Sequence, residues 1–285
     1  MNTKQNLIWL KTKKMISVSF SNFICVIMSF TCVVPVIWMI YSSLKTEKEF
    51  SLSILSLPQT PQWGNYIKAF SVGNMGQYVV NSMFNSVVAT VITCVLAFMV
   101  GYCLARFYFC GNRAIYYLFM AGMLVPIYAL LLPIFIEFKT LHMINKAYTL
   151  LLPYIAFQLP IAVFLMESYM DGIPIELEEA AYIDGCGPIK AMFKIIMPVC
   201  KPVTATAAIL TFLNNWNEFP LALVLVSKDA LKTIPIGLTF FKGAHSTDFT
   251  LLFAALTIAT LPVIVLYLLF SKQIMQGMVN GAVKG

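Results

Sequence analysis

An all-α polytopic membrane protein is the fold class this sequence predicts, and three observations predict it. Hydrophobic residues make up 60% of the 285 positions and charged residues only 11%, where an ordinary soluble domain carries about 25% charged residues. The apolar residues gather into runs of about 20, the length that crosses a hydrocarbon core roughly 30 Å thick as a helix. Of 19 basic and 12 acidic residues, only Glu167 and Glu218 fall inside those runs, as the free-energy cost of a charge in lipid demands.

Six runs qualify as transmembrane helices. The first, Phe20–Tyr41, follows Lys4, Lys11, Lys13 and Lys14. That basic flank has the look of a secretory signal, but the run is too long for a signal core and no small-residue cleavage site follows, so it reads as a retained helix. The second and third, Met83–Ala105 and Ala114–Ile136, are separated by a short connection holding Arg106 and Arg113. Tyr148–Met170, Val203–Val226 and Leu251–Phe270 complete the set. The chain then divides into a cytoplasmic segment 1–19, a first helix 20–41, an external loop 42–82, a core transmembrane domain 83–270 and a cytoplasmic tail 271–285. Lys and Arg number eleven on the side of the termini and eight on the other. With the acid-free first flank, this places both termini in the cytoplasm.

Pro35, Pro126, Pro133, Pro153, Pro160, Pro220 and Pro262 lie inside the runs, and each is expected to kink its helix. The seven cysteines form no CxxC pair and no zinc-like spacing, and His142 and His245 are isolated in loops. They read as inert thiols and solvated imidazoles, without metal chemistry. The net charge of +7 is spread between apolar runs as topology signals and makes no nucleic-acid surface.

The connection 171–202 is long and reads as two short helices. Pro174 suits a first helical position, Glu176, Glu178 and Glu179 suit the positive N-terminal end of a helix, and Gly185 suits a left-handed C-terminal cap. Pro188 can open a second helix that ends near Pro198. Ala180 and Ala181 would let a first helix lying across the membrane face approach a partner's groove closely.

Glu179-Ala180-Ala181, then Asp184-Gly185, then Pro198 and Pro202, resembles the "EAA" loop of ATP-binding-cassette importer permeases, with the Gly six and the Pro nineteen residues after the Glu. Cys186 stands where a small Ala is usual, and Met197 where Leu is common. The resemblance extends over nearly the whole chain to the maltose-type carbohydrate uptake family, in particular its six-span partner. Asn65-Tyr66, Asn81-Ser82, Trp216-Asn217-Glu218-Phe219 and the terminal Gly281-Ala282-Val283-Lys284-Gly285 look like that family too.

The resemblance implies a type I importer permease bundle. It implies that 171–202 is a coupling loop whose Glu179, Ala180, Ala181, Asp184, Gly185 and Pro198 engage an ATPase subunit. It further implies a second homologous permease subunit forming a heterodimer, two ATP-binding-cassette ATPase subunits that hold ATP and Mg, an extracytoplasmic solute-binding protein, and a bacterial cytoplasmic (inner) membrane. The external loop Ser227–Thr250 would touch the solute-binding protein, and the tail would reach the ATPases.

Asn214, Asn215, Trp216, Asn217 and Glu218 interrupt the fifth apolar run. Facing lipid would be costly, so they are expected to face the bundle interior, either lining a sugar pathway or knitting helices together. A continuous helix would put Asn214, Asn217 and Glu218 on one face. Gln158 is a weaker pathway candidate, and Glu167 reads as snorkelling at a span end. The chain lacks GxxxxGK[ST], HExxH and Gly-x-Ser-x-Gly, so ATP hydrolysis is assigned to other subunits and an intramembrane enzyme is disfavoured. The alternative of an ion-coupled secondary transporter or channel rests on Glu218 as the only deep acid.

Overall fold

The structure, a computed structural model, describes the backbone of residues 3–71, 73–241 and 248–282, with side chains from 18 to 270 among them. His245, residues 283–285, and the side chains of Lys4, Lys11, Lys13, Lys14 and of the tail from Ser271 lie outside the described residues. Among the described residues all regular elements are helical. The chain forms two compact units, Met1–Ala69 with Gly243–Thr257 and Phe70–Lys242 with Ile258–Gly285.

The first unit is built on α1 (Thr3–Ser42), α2 (Glu47–Leu52) and most of α3 (Gly64–Ser71). Thr46 caps α2 reciprocally with Glu49: the Glu49 N–H donates to Thr46 Oγ1 at 3.2 Å, and the Thr46 N–H donates to Glu49 Oε2 at 3.0 Å. That backbone donor is the main reason the Glu49 carboxyl is held below its ordinary range. Lys45 is fully buried. Its ammonium donates to the carbonyls of Ser53 at 3.1 Å and Ile54 at 2.9 Å and lies 5.3 Å from the centre of the Tyr41 ring. Burial lowers its pKa, against the opposing pull of Glu49. Asn65 donates to the carbonyls of Ser43 and Lys45, and the Tyr66 and Ser43 hydroxyls bond at 2.6 Å. The Asn65-Tyr66 pair thereby ties α3 to the end of α1.

The second unit holds α4 (Met75–Arg106), α5 (Asn112–Met123), α6 (Ile127–Thr140), α7 (Leu151–Asp171), α8 (Glu176–Ile183), α9 (Pro188–Ala191), α10 (Met197–Val199), α11 (Lys201–Trp216), α12 (Pro220–Leu225) and α13 (Ile234–Gly237). The last helix, α14 (Phe249–Ala282), runs on from the first unit into the second. A π-helical turn, Met192–Ile196, joins α9 to α10.

Four of the six anticipated spans are single helices: Val18–Ser42 of α1, all of α4 and α7, and Phe249–Phe270 of α14. The other two are bent. α5 and α6 meet at 99°, and Pro188–Val199 meets α11 at 75°. The third span is therefore not the continuous run Ala114–Ile136. Pro126 has no N–H, and its ring drives Val125 out of helical backbone, so the first half-helix stops at Met123 and Pro126 caps the second. The second span starts at Met75, two turns before Met83, because its polar residues have protein partners. Asn81 Nδ2 donates to the carbonyls of Ala230 and Lys232, and Ser82 Oγ accepts from the Ile234 N–H at 2.9 Å.

α4 is the central element of this unit and packs most extensively on α7. A Cβ added at Gly101 would lie 2.8 Å from Met166 Cβ, so the two backbones approach as only glycine permits. Phe98, Tyr102, Val163, Met166, Met170, Ile196, Cys200 and Val203 form the core beside α8. A second core at the other end joins Ala89, Phe138, Leu150, Tyr154, Leu221 and Leu225.

Candidate functional site

The loop 171–202 folds into the two short helices its sequence predicts, with one shift. α8 starts at Glu176, two residues past Pro174, and Ile175 holds its N-cap position. Its C-terminus is closed by a Schellman motif. The Gly185 N–H donates to the Tyr182 carbonyl at 3.0 Å and the Cys186 N–H to the Ala181 carbonyl at 2.9 Å, with Gly185 at φ +81°. Pro188 then occupies the first turn of α9. The second helix ends at Val199, one residue past Pro198, before the 75° bend into α11.

α8 has two faces. Glu178 and Ala181, three residues apart, are buried. Glu179, Ala180, Asp184 and Gly185 are exposed, as is Pro198, and Ile183 is 86% exposed. The inward face is bound to the end of α4. Arg106 Nε donates to Glu178 Oε1 at 2.6 Å, Tyr102 Oη donates to Glu178 Oε2 at 2.6 Å, and Arg106 Nη2 donates to the Ile173 carbonyl at 2.9 Å. Both carboxylate oxygens and two guanidinium nitrogens are thus satisfied inside the protein, the condition on which a buried ion pair is stable. In the sequence Glu178 reads as a helix-dipole charge and Arg106 as a topology signal, and nothing there pairs them. The one clue to burial is a Glu three residues before a small Ala on the same face.

The polar cluster of the fifth span is arranged otherwise than a continuous helix would have it. α11 stops at Trp216, because Pro220 cannot donate to the Trp216 carbonyl and instead opens α12. Asn217 is a cap residue and Glu218 lies beyond the helix, so Asn214, Asn217 and Glu218 do not share a helical face. Glu218 turns onto the start of α12, where Oε1 accepts from the Leu221 N–H at 2.6 Å and Oε2 from the Ala222 N–H at 3.1 Å. Tyr154 Oη donates to the same carboxylate at 3.1 Å. Trp216 is buried, stacks on Phe212 at 5.5 Å and donates to the Ala259 carbonyl at 3.2 Å. Asn215 is buried, with its Nδ2 unpartnered. Asn214 and Asn217 stay exposed. The Asn214 amide donates to Gln158 Oε1 at 3.0 Å, and Asn217 donates back to the Leu213 carbonyl.

Residues 94–280 match the family described as "Binding-protein-dependent transport system inner membrane component". The chain belongs to that family. Among relatives, the sulfoquinovosyl glycerol transport system permease protein SmoH of Agrobacterium fabrum is 35% identical over 252 residues, 88% of each chain. The trehalose transport system permease protein SugB of Mycobacterium tuberculosis is 34% identical, covering 88% of this chain and 92% of its own. The diacetylchitobiose uptake system permease protein NgcG of Streptomyces coelicolor is 33% identical, covering 90% and 85%. A crystallised bacterial ABC transporter involved in import of the acidic polysaccharide alginate has a chain that superposes with a TM-score of 0.80 at 20% identity, covering 91% of this chain and 97% of its own. That likeness establishes the fold. The protein is thus a multi-pass inner-membrane permease of the ATP-binding-cassette importers, which work with separate ATPase subunits and a solute-binding protein.

Proposed function

We propose that this permease imports a carbohydrate, and that α8 is the part through which ATPase subunits drive it. The three relatives above are named for transport of sugars or sugar derivatives, which supports the substrate class. The observation that carries the coupling role is the two-faced α8. Its outer face presents Glu179, Ala180, Ile183 and Asp184 to a partner, while Glu178 on its inner face is locked to Arg106 and Tyr102 of α4. A push on the outer face reaches a spanning helix without passing through a loose loop. Two nucleotide-hydrolysing subunits, carrying ATP and Mg, close and press α8. α4 and its neighbours then switch between outward-facing and inward-facing states by rigid-body motion.

In this reading both termini are cytoplasmic, α8 is on the cytoplasmic side, and a homologous permease subunit completes a heterodimer. Asn214 and Asn217, both exposed, and the half-buried Gln158 are the amides suited to bonding sugar hydroxyls. Asn215, Trp216 and Glu218, by contrast, are engaged in packing or capping. Ion coupling through Glu218 loses its footing, since that carboxylate is occupied by two backbone amides and a phenol.

The test is uptake of radiolabelled sugar by proteoliposomes holding the whole importer, with a cysteine introduced at Ile183 for cross-linking. ATP-dependent uptake, with Ile183→Cys cross-linking to an ATPase subunit, is the expected result. Uptake driven by an ion gradient without the ATPases would overturn the reading, as would Ile183→Cys accessible only from outside the cell.

A further inference from the structure

Helix α1 is the first membrane-spanning element, and the chain that leaves it does not go straight out into water. Trp38 lies four residues before the end of α1 at Ser42, about 6 Å short of that end at 1.5 Å per residue. Helical side chains lean toward the N-terminus, so its indole reaches no higher than its own backbone. That indole nonetheless donates to the Ile54 carbonyl at 3.1 Å, and Tyr41 Oη donates to the Leu55 carbonyl at 3.0 Å. Lys45, just past the turn that ends α1, also donates to the Ser53 and Ile54 carbonyls. A tryptophan, a tyrosine and a lysine thus fasten residues 53–55 at the level of the last turn of α1.

The side chains carried down to that depth are aliphatic. Leu52 is 79%, Ile54 55%, Leu55 77% and Leu57 72% exposed. No Asp, Glu, Lys or Arg occurs from Phe50 to Ile67. Backbone carbonyls carried down beside the end of a spanning helix need donors, and Trp38, Tyr41 and Lys45 supply them. Trp and Tyr at a span end are the side chains suited to the headgroup level, with one wet and one apolar end. On α1 itself, Ile37 and Ile40 are also exposed.

We infer that residues 52–57 form a monotopic anchor that folds back along α1 and inserts Leu52, Ile54, Leu55 and Leu57 into the adjoining lipid leaflet. The occupant of this surface is lipid acyl chain, and Lys45 is the buried pin that sets the depth of the loop. The anchor holds the whole 46–69 segment flat on the membrane surface.

The test uses the assembled importer in lipid nanodiscs, with its native cysteines replaced by alanine and a single new one, Leu55→Cys or Leu57→Cys, carrying an environment-sensitive fluorophore. Lys48→Cys serves as the aqueous reference. At 55 and 57 the expected signal is blue-shifted emission, quenched by phospholipid with a doxyl group high on its acyl chain and little affected by iodide. Lys48→Cys should show the reverse. Iodide quenching at 55 and 57 would overturn the inference. So would protection from both quenchers, which marks cover by a protein chain, or protection that appears only when the solute-binding protein is added. Should the cysteine-free background not assemble, a photoreactive lipid applied to the unaltered importer decides the same point. Label on residues 50–62 supports the anchor, and label on α1 without label there removes it.

Discussion

Two short helices, α8 and α12, each have a glutamate at their start, buried Glu178 and half-buried Glu218, and the two carboxylates are satisfied in opposite ways. Glu178 meets a cation and a phenol from α4, more than 70 residues away in the chain. Glu218 meets the N–H groups of Leu221 and Ala222, three and four residues on, with one phenol from α7. The first arrangement joins two distant elements into one body. The second finishes a local break in the chain and ties it to a neighbour only through Tyr154. A carboxylate that reads identically in sequence is therefore a long-range fastener in one place and a cap in the other, and the partner's charge decides which.

Removing one side of the distant pair should break that contrast most severely. Arg106→Ala leaves Glu178 charged and buried, which costs about 3–5 kcal/mol. Transport should be abolished, while the Arg106→Gln, Glu178→Gln double variant recovers assembly and a fraction of uptake. An equal loss in the double variant would show that geometry rather than charge matters here.

Next in its effect on transport is Gly185. Nothing lies within 4 Å of an added Cβ, so only its φ of +81° resists substitution. Gly185→Val should cost about 1–2 kcal/mol in αL backbone, loosen the end of α8 and uncouple ATP hydrolysis from uptake, with membrane insertion intact. Gly185→Asn should be nearly silent, since Asn tolerates αL. Comparing ATPase rate with uptake for both variants checks this.

Glu218→Gln keeps one acceptor oxygen for the α12 cap but turns an NH2 donor toward the second N–H, and should cost about 1–3 kcal/mol. Thermal unfolding of the detergent-solubilised complex should register a downward shift and transport should persist. Complete loss of transport in Glu218→Gln would raise it from cap to pathway residue.

Smallest is the effect of acid on the loop after α1. Glu49 has its carboxyl pKa lowered in the fold from an ordinary 4.5, chiefly by the Thr46 N–H. Its contribution is fully present above the unfolded pKa and lost as pH falls through the folded one. Hydrogen exchange at residues 46–53 should quicken only below about pH 4.5, and Glu49→Gln should remove that dependence.

Much of this was legible in the sequence. Helix type and four of six spans followed from run length and charge exclusion alone, because lipid leaves the backbone few options. Gly185 and Pro188 announced a cap and a helix start through local backbone rules, and the structure places them so. Breaks were harder to read. Pro126 and Pro220 read as kinks, yet each ends one helix and begins another. A proline in an apolar run fixes that a carbonyl is freed, but not whether neighbours let the helix continue. The ion pair was illegible for a different reason: Arg106 and Glu178 are brought together by the packing of α4 on α7, and no local pattern records a contact between them.

The right-angled break at Pro126 has a consequence for how the chain is made. Its two halves, 12 and 14 residues long, span only about 18 and 21 Å along their axes, and neither reaches across a bilayer. What steadies them comes later in translation: Pro160 lies so near Gly122 that an added Cβ there would be 3.2 Å from its Cγ, and Leu221 and Leu225 pack with Phe138. During synthesis this pair has to wait, loosely held, until the segments downstream emerge. A nascent chain arrested after residue 146 should leave it extractable, and one continued past 225 should fix it in place.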